Sequence, residues 1–531
     1  MPGGPPGFRS DRGGRATWFY IPGAPTDILA TNLKHDLSAA LTDRKASIGV
    51  VDIGSNSVRL VIYDTADGWP VPVFNDREFC SLGKGVGETG LLSEEGCRTA
   101  LETISRFVAI CRQIGVGRME LVATAAIRDA GNGAEFAGSV RQATGSEVRV
   151  ITGEDEARLA ARGVAYGSPG ADGLVGDLGN GSLELVELVD GTIGEMVSLP
   201  IGSLRIMSQF HGDLAAARAE CERRLANIGW LSRIEGRTFY PVGGAWRALC
   251  RIHMEQKKAP IHIIHAYRMS GTTGRQFADL LAHLGSRTLA GIENVPARRL
   301  EMVPISSAIF GAVLNCAKPS QIVFSAAGLR EGIVIEAAGE AAFDADPLLA
   351  EARAIAMRDG RAGDIGQTFS DWLDPLYPRT RPERDRLRIV AATLSDIGWR
   401  EHPDYRARQV MLRILRHPFL AIDHPSRALV AWAVYLRYGG KLDNPDAEMV
   451  QGVLSNRARK RAQTMGAGLR LAHRLSGSSP RLLAGTSLSV ADGTLNLHLP
   501  GIDVYPLDDR LMGPLRSLAS AAGLKPGAIL R

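Results

Sequence analysis

Two stretches decide the fold: VDIGSNSVRLVI at residues 51–62 and GDLGNGSLELVE at residues 176–187. Aligned on their aspartates, they share Asp52/Asp177, Gly54/Gly179, Ser57/Ser182, Leu60/Leu185 and Val61/Val186, all at one offset of 125 residues. Each reads as strand, turn, strand, because β-branched runs flank a Gly/Ser/Asn cluster. Two copies of one unit, each followed by further α/β segments, predict two similar halves facing each other across a cleft. Clefts of that kind are where ligands bind.

Taken alone, one D-x-G-x-x-S loop is equally an ordinary hairpin turn, and Asn180-Gly181 is hairpin chemistry. The matched pair points further. Gly54, Gly179 and Gly181 permit tight turns with positive φ, so that backbone N–H groups converge on an anion. Ser57 and Ser182 add hydroxyl donors. Asp52 and Asp177 are wrong for direct phosphate contact but right for a divalent cation or its bound water. Just before the second loop, ITGEDEARLAARGV (151–164) opens a predicted helix with Glu154, Asp155 and Glu156. Acidic residues suit a helix N-terminus. One of them facing the cleft would serve as a general base for water, and spacing leaves open which. Arg128, in ATAAIRDA (123–130), follows a strand; it reads either as an ion-paired surface arginine or as a phosphate clamp.

Working outward, order is expected from about Ala46. Residues 46–171 form the first α/β domain, 172–345 the second, and 346–531 an almost purely helical third, with a short hairpin in LSVADGTLNLHLPG (488–501). Residues 1–45 open rich in Gly, Pro and Arg without the apolar core of a signal peptide, and read as a disordered leader. Six scattered cysteines with no CxxC pair fit a reducing cytoplasm and give no zinc framework. No apolar run reaches the length of a membrane helix; ALVAWAVYL (428–436) reads as a buried helix. Overall composition is ordinary for a globular chain, with 45% apolar and 22% charged residues, which excludes collagen-like and wholly disordered classes. Net charge is only +5 (62 Lys+Arg against 57 Asp+Glu), but residues 346–531 hold 27 basic against 19 acidic residues, a net of +8. The rest is slightly acidic.

In this order the segments resemble the exopolyphosphatase/guanosine pentaphosphatase family, within the actin-like ATPase and sugar kinase superfamily. VDIGSNSVRLVIYD is similar to its first phosphate loop, ATAAIRDAGNGAEF to its Thr–Arg segment and ITGEDEARLAARGV to its Gly-x-x-Glu-Ala-Arg segment. GDLGNGSLELVEL resembles its second phosphate loop, LPIGSLRI the following Gly segment, PVGGAWRAL its Gly-Gly loop, and SAAGLREGIV its closing turn. The resemblance implies two ribonuclease H-like domains, a Mg2+-dependent acidic cleft and hydrolysis of terminal phosphoanhydrides. It makes Glu156 the general base and Arg128 a phosphate holder. Asp177 and Glu184 would position metal or water. Asp52, Gly54, Ser55, Asn56, Ser57, Gly179, Asn180, Gly181, Ser182, Gly243 and Gly244 would cradle phosphates. Three positions depart from the family pattern: Asn180 replaces a glycine and is expected to tolerate a left-handed backbone, Leu183 removes a hydroxyl, and Ala245 stands in the Gly-Gly loop. The substrate expected is inorganic polyphosphate, with guanosine pentaphosphate (pppGpp) hydrolysis or a non-catalytic polyphosphate or alarmone sensor as alternatives.

The helical third resembles the C-terminal domain of longer family members, which is related to the His-Asp phosphohydrolase fold. A working metal site there needs histidine before Asp396, and the residue is Ser395. His402 and His424 read as structural, and no metal is assigned. The run SNRARKRAQTMGAGLRLAHRL (455–475) carries Arg457, Arg459, Lys460, Arg461, Arg470 and Arg474. It reads either as a solvated helix face or as a track for a polyanion, with Arg459, Lys460 and Arg461 as substrate contacts. Few aromatics interleave with these cations, which disfavours nucleic acid as the partner. A homodimer is the expected assembly.

Overall fold

The structure is a computed structural model that describes residues 46–66, 68–284, 300–339, 346–377, 381–499 and 509–530. The leader read over residues 1–45 lies outside the described residues. The first half holds strands β1 (Ser47–Ile53), β2 (Ser57–Asp64), β3 (Val71–Phe79), β4 (Arg118–Ala123) and β5 (Val148–Val150), in the order β3-β2-β1-β4-β5. β1, β2 and β3 pair antiparallel, whereas β4 and β5 add parallel. Helices α1 (Glu94–Ile114), α2 (Ala125–Asp129) and α3 (Gly153–Gly167) follow their strands. The Ser93 side chain accepts from the Gly96 N–H and caps α1.

The second half repeats this plan. β6 (Gly173–Leu178), β7 (Leu183–Val189) and β8 (Thr192–Leu199) pair antiparallel, and β9 (Thr238–Val242) runs parallel to β6. β10 (Arg268–Ser270) and β11 (Gln321–Val323) complete the order β10-β11-β9-β6-β7-β8. Its helices include α4 (Ser203–Phe210), α5 (Gly244–Gln256), α6 (Val303–Ala317) and α7 (Leu329–Ala338). The repeat read from sequence is exact in register: Asp52 pairs with Arg59 across β1/β2, and Asp177 pairs with Glu184 across β6/β7. The central strands β1 and β6 are covered on both faces, which is why they are near-continuous apolar runs.

The halves exchange helices. α3 closes the first half in sequence, yet Ala157, Ala161 and Val164 pack on Val175 and Val186 of the second sheet. α7 closes the second half, yet Ile333 and Val334 pack on Val50 and Val61 of the first. Where the two helices cross, a Cβ on Gly163 would lie 2.0 Å from the Gly328 carbonyl oxygen, and one on Gly332 would lie 1.9 Å from that of Leu159. Only glycine allows so close an approach of backbones. Arg158 and Arg149 both pair with Glu336 and tie the crossing at its edge.

From Pro347 the chain is helical around one large core that includes α8 (His424–Arg437) and α9 (Asn456–Ser476). The run expected to form a buried helix lies in α8, with Trp432 fully enclosed. β12 (Ser487–Ala491) and β13 (Thr494–His498) form the expected hairpin. After α10 (Asp509–Ala522), β14 (Lys525–Leu530) adds to it in parallel, a strand the sequence did not announce. His424 docks this part on the second half: its Nε2 lies 2.9 Å from the Ile263 carbonyl oxygen and 3.2 Å from that of His265. It is thus a structural histidine, and His402 is an exposed helix cap.

At Asp396 a guanidinium meets a buried carboxylate. Arg361 reaches both carboxylate oxygens, at 3.0 and 2.6 Å, and Arg437 and Ser478 bond the same group. The preceding Ser395 Oγ lies 2.7 Å from His473 Nε2, and burial followed by repulsion from Arg437 and Arg361 holds that imidazole well below its ordinary pKa. Protein cations thus neutralise the buried Asp396 carboxylate.

Candidate active site

The two repeated loops face each other across a cleft of about 710 Å³ between the halves. Asp52, Gly54, Ser55, Asn56 and Ser57 line it from one side, and Asp177, Gly179 and Asn180 from the other. Glu156, Gly243 and Gly244 complete the expected residues on its wall. The loops are built alike. Gly54 N–H donates to the Ser57 carbonyl at 3.1 Å, and Gly179 N–H to that of Ser182 at 3.0 Å.

Positive φ is not how these loops turn: Gly54, Gly179, Gly181 and Asn180 all lie outside the left-handed region. Their glycines answer to space instead, since a Cβ on Gly179 would sit 3.3 Å from the Ser182 carbonyl oxygen. Asn180 is held by polar contacts, its side-chain oxygen accepting from Ser203 Oγ at 3.2 Å and its carbonyl from the N–H groups of Leu204 and Arg205. Gly243 is the position that needs glycine's freedom, with φ +92° and Asp177 Oδ1 only 2.9 Å from where a Cβ would be. That tight turn brings the N-terminus of α5 onto the cleft beside Asp177. α4 and α7 also begin at the cleft, and helix N-termini favour anions.

One wall is acidic: Glu156, on the first turn of α3 and buried, and Asp177, on β6 and half-buried, line it, whereas Glu184, on β7, is buried behind them and, like Arg128 and Gly181, does not line the cleft. Burial, then repulsion from Glu184 and Asp177, pushes the Glu156 carboxyl well above its usual range, and Arg128 partly counters this. Burial, then Asp177, raises Glu184 to about 7; burial also raises Asp177 to about 6. Glu184 Oε1 accepts from Ser198 Oγ at 2.9 Å, whereas its Oε2 is buried with no partner. Ser182 is buried beside it and does not line the cleft. Of the three carboxylates opening the helix, the fold therefore turns Glu156 to the cleft. Asp155 instead turns back to the helix cap: Thr152 Oγ1 accepts from the Asp155 N–H and donates to Asp155 Oδ2. Arg128 sits beside Glu156, its Nη1 3.3 Å from Oε2 and 3.0 Å from the Ile151 carbonyl oxygen.

The other wall is basic, and sequence reasoning missed it. Arg59 from β2, Arg77 from β3, Arg247 from α5 and Arg330 from α7 converge on the cleft. Burial and then Arg330 depress Arg59, to about 10, and also Arg77 and Arg247. Arg330 is held charged against its burial by Asp52, 2.9 Å away, and by Glu331. One signal was available. Arg59 occupies the repeat position of Glu184, so the paired loops carry opposite charge at equivalent places. Four guanidiniums, only one of them held by a carboxylate at the cleft, facing a carboxylate cluster suit a ligand that carries several phosphates together with a divalent cation.

Arg459, Lys460 and Arg461 are not brought to this cleft. They lie on the first turns of α9, where Arg459 Nε donates to the Gln451 and Leu454 carbonyls and Arg461 to that of Arg384. Arg459 and Lys460 line a separate groove of about 960 Å³ with Arg470, Arg474 and Arg510.

Two family models match the chain: the Ppx/GppA phosphatase family over residues 61–341 and exopolyphosphatase, C-terminal, over residues 377–529. The proteins named Exopolyphosphatase 1 of Mycobacterium bovis and Mycobacterium tuberculosis are 33% identical over 188 residues, which is 35% of this chain and 54% of theirs. The chain thus spans about half the length of the curated relatives it matches. An exopolyphosphatase structure from Cytophaga hutchinsonii is similar at TM-score 0.51 and 24% identity, covering 55% of this chain and 97% of that one, and shows the shared two-lobed fold. The structure of an Aquifex aeolicus Ppx/GppA family member is 28% identical at TM-score 0.48 over 55% of this chain and 97% of that one. With the first family model alone spanning more than half of its residues, the chain belongs to the Ppx/GppA phosphatase family.

Proposed function

We propose that this protein is a Mg2+-dependent exopolyphosphatase that releases orthophosphate from the ends of inorganic polyphosphate. The observation that carries the reading is the cleft itself, with the Glu156–Asp177–Glu184 cluster opposite four arginines and a phosphate-type loop from each half between them. The names of the relatives point the same way. Phosphoanhydride hydrolysis asks for an in-line water, neutralised charge and fixed geometry rather than covalent chemistry. Glu156, raised but adjacent to Arg128, takes the proton of the attacking water as its oxygen bonds to the terminal phosphorus. The bond from that phosphorus to the bridging oxygen breaks, and the shortened chain leaves. Arg330, Arg247, Arg59 and Arg77 hold non-bridging oxygens of the chain behind it.

The donor set fits Mg2+. It offers only oxygen, and Oε2 of Glu184 is a buried carboxylate oxygen in want of a cation. Among the described residues no cluster could enclose a metal ion by itself, which matches a cation held by one or two carboxylates and by substrate phosphates. Asp177 and Glu184 would hold it, directly or through water, and it would supply neutralisation of the transferred phosphoryl oxygens.

We read the helical part as a His-Asp-phosphohydrolase relative that has exchanged its metal for the Arg361–Asp396 pair, and the enzyme as a cytoplasmic homodimer. Its basic groove suits a long chain, while a nucleotide such as pppGpp needs only the cleft. Phosphate release from long polyphosphate and from pppGpp, each with Mg2+, tests the substrate. Release from polyphosphate is expected; release from the nucleotide alone would sink the reading.

A further inference from the structure

Arg205 of α4 joins the two halves. Its Nε donates to the carbonyl of Gly181 at 2.8 Å, and its Nη2 donates to Asp129 Oδ2 at 2.6 Å. Gly181 belongs to the second repeated loop, whereas Asp129 ends α2 in the first half. Asp129 Oδ1 in turn lies 3.4 Å from Arg128 Nε, and Arg128 Nη1 reaches Glu156. The links run unbroken from the second loop through Arg205, Asp129 and Arg128 to the Glu156 carboxylate.

The anchorage at the loop end is firm. α4 begins on that loop, with the N–H groups of Ser203, Leu204 and Arg205 donating to the Gly179 and Asn180 carbonyls. The loop also abuts α2, because a Cβ on Gly181 would lie 3.0 Å from that of Ala125. Arg205 and Asp129 side chains are 42% and 37% exposed. An ion pair so open adds little to stability. Its value is geometric: a planar guanidinium satisfied by two acceptors at once fixes both against each other, which a lysine ammonium on a flexible stem does not. Neither Arg205 nor Asp129 lines the cleft, so the pair acts on the reacting groups only through Arg128.

We propose that Arg205 is a positioning residue that locks the second loop to α2 and thereby holds Arg128 against Glu156. This rests on the reading of Glu156 as the base. The effect belongs mainly in turnover, since the four arginines that would hold the chain lie outside the link.

The test uses the full chain with long polyphosphate and Mg2+, comparing Arg205→Ala, Arg205→Lys, Asp129→Asn and the Arg205→Ala/Asp129→Asn double variant. Arg205→Ala should lower kcat by about 10- to 100-fold with KM little changed, the scale that small misplacements of reacting groups cost. Lysine should restore only part of it. Adding Asp129→Asn to Arg205→Ala should cost nothing more, because both break the same link. Wild-type kcat in Arg205→Ala, or a double-variant loss equal to the product of the single losses, overturns the inference. Should the alanine variant fail to fold, wild-type kcat in Arg205→Lys overturns it instead. Glu156→Gln run in parallel keeps the questions apart. If it turns over normally, the base assignment fails. If it is inactive while Arg205→Ala is normal, only this inference fails.

Discussion

Glu184 sits where an isolated carboxylate is most costly, buried opposite Asp177 with one oxygen unpaired. With Glu184 at about 7 and Asp177 at about 6, both above their ordinary 4.5 and 3.8, the folded chain binds these protons more tightly than the unfolded chain does. Their stabilising contribution is therefore complete below about pH 4 and is lost as pH rises through 6 and 7. In metal-free buffer at pH 8, Glu184→Gln should be more stable than the parent by about 3 kcal/mol. The gap should close toward pH 4, and Mg2+ should narrow it at pH 8 by neutralising the carboxylate. Thermal unfolding across that range checks this; a gap independent of pH would show that burial of charge is not the cause. Asp52 and Asp177 were legible because both sit in the repeat, whereas Glu184 was legible only through the family resemblance. Which of Glu154, Asp155 and Glu156 faces the cleft was not, because adjacent residues on a first helical turn differ only in direction, and the packing of α3 decides that.

At the scale of elements, α9 presents one long stripe to solvent. Lys460, Gln463, Ala467, Arg470 and Arg474 recur at helical spacing and face the small residues Gly513, Ser517 and Ala521 of α10. Among the described residues no acidic side chain lines that groove. Replacing Lys460, Arg470 and Arg474 together by alanine should raise KM for long polyphosphate several-fold, flatten its salt dependence and leave the shortest substrates unaffected. Kinetics against chain length and salt read this directly, and an unchanged KM for long chains would remove the groove from the path. Elements were legible where local pattern suffices, as with the acidic start of α3, the buried helix α8 and the hairpin β12–β13. β3 and β8 escaped notice because they are outer strands with broken alternation, paired only by the register of β2 and β7. β14 escaped because its partner β13 is nearly thirty residues away and runs parallel to it.

For the whole molecule, the near-neutral total of +5 hides a division of labour. The two lobes gather carboxylates, and the helical part carries the basic excess. The repeat at a fixed offset was enough to announce two lobes and a cleft. It could not announce that each lobe lends a helix to the other's sheet across the Gly163–Gly332 crossing, which arises only when the halves meet. Nor could it assemble the basic wall, whose four arginines come from β2, β3, α5 and α7 and share no spacing in the chain. The central claim is that this two-lobed cleft hydrolyses polyphosphate with Glu156 as its base. The most direct measurement is phosphate release from long polyphosphate with Mg2+ by the parent chain and by Glu156→Gln, alongside polyphosphate binding. The expected result is turnover by the parent and a loss of about a hundredfold or more in the variant, with binding retained. Parent-level turnover in the variant, or no release by either protein, would contradict it.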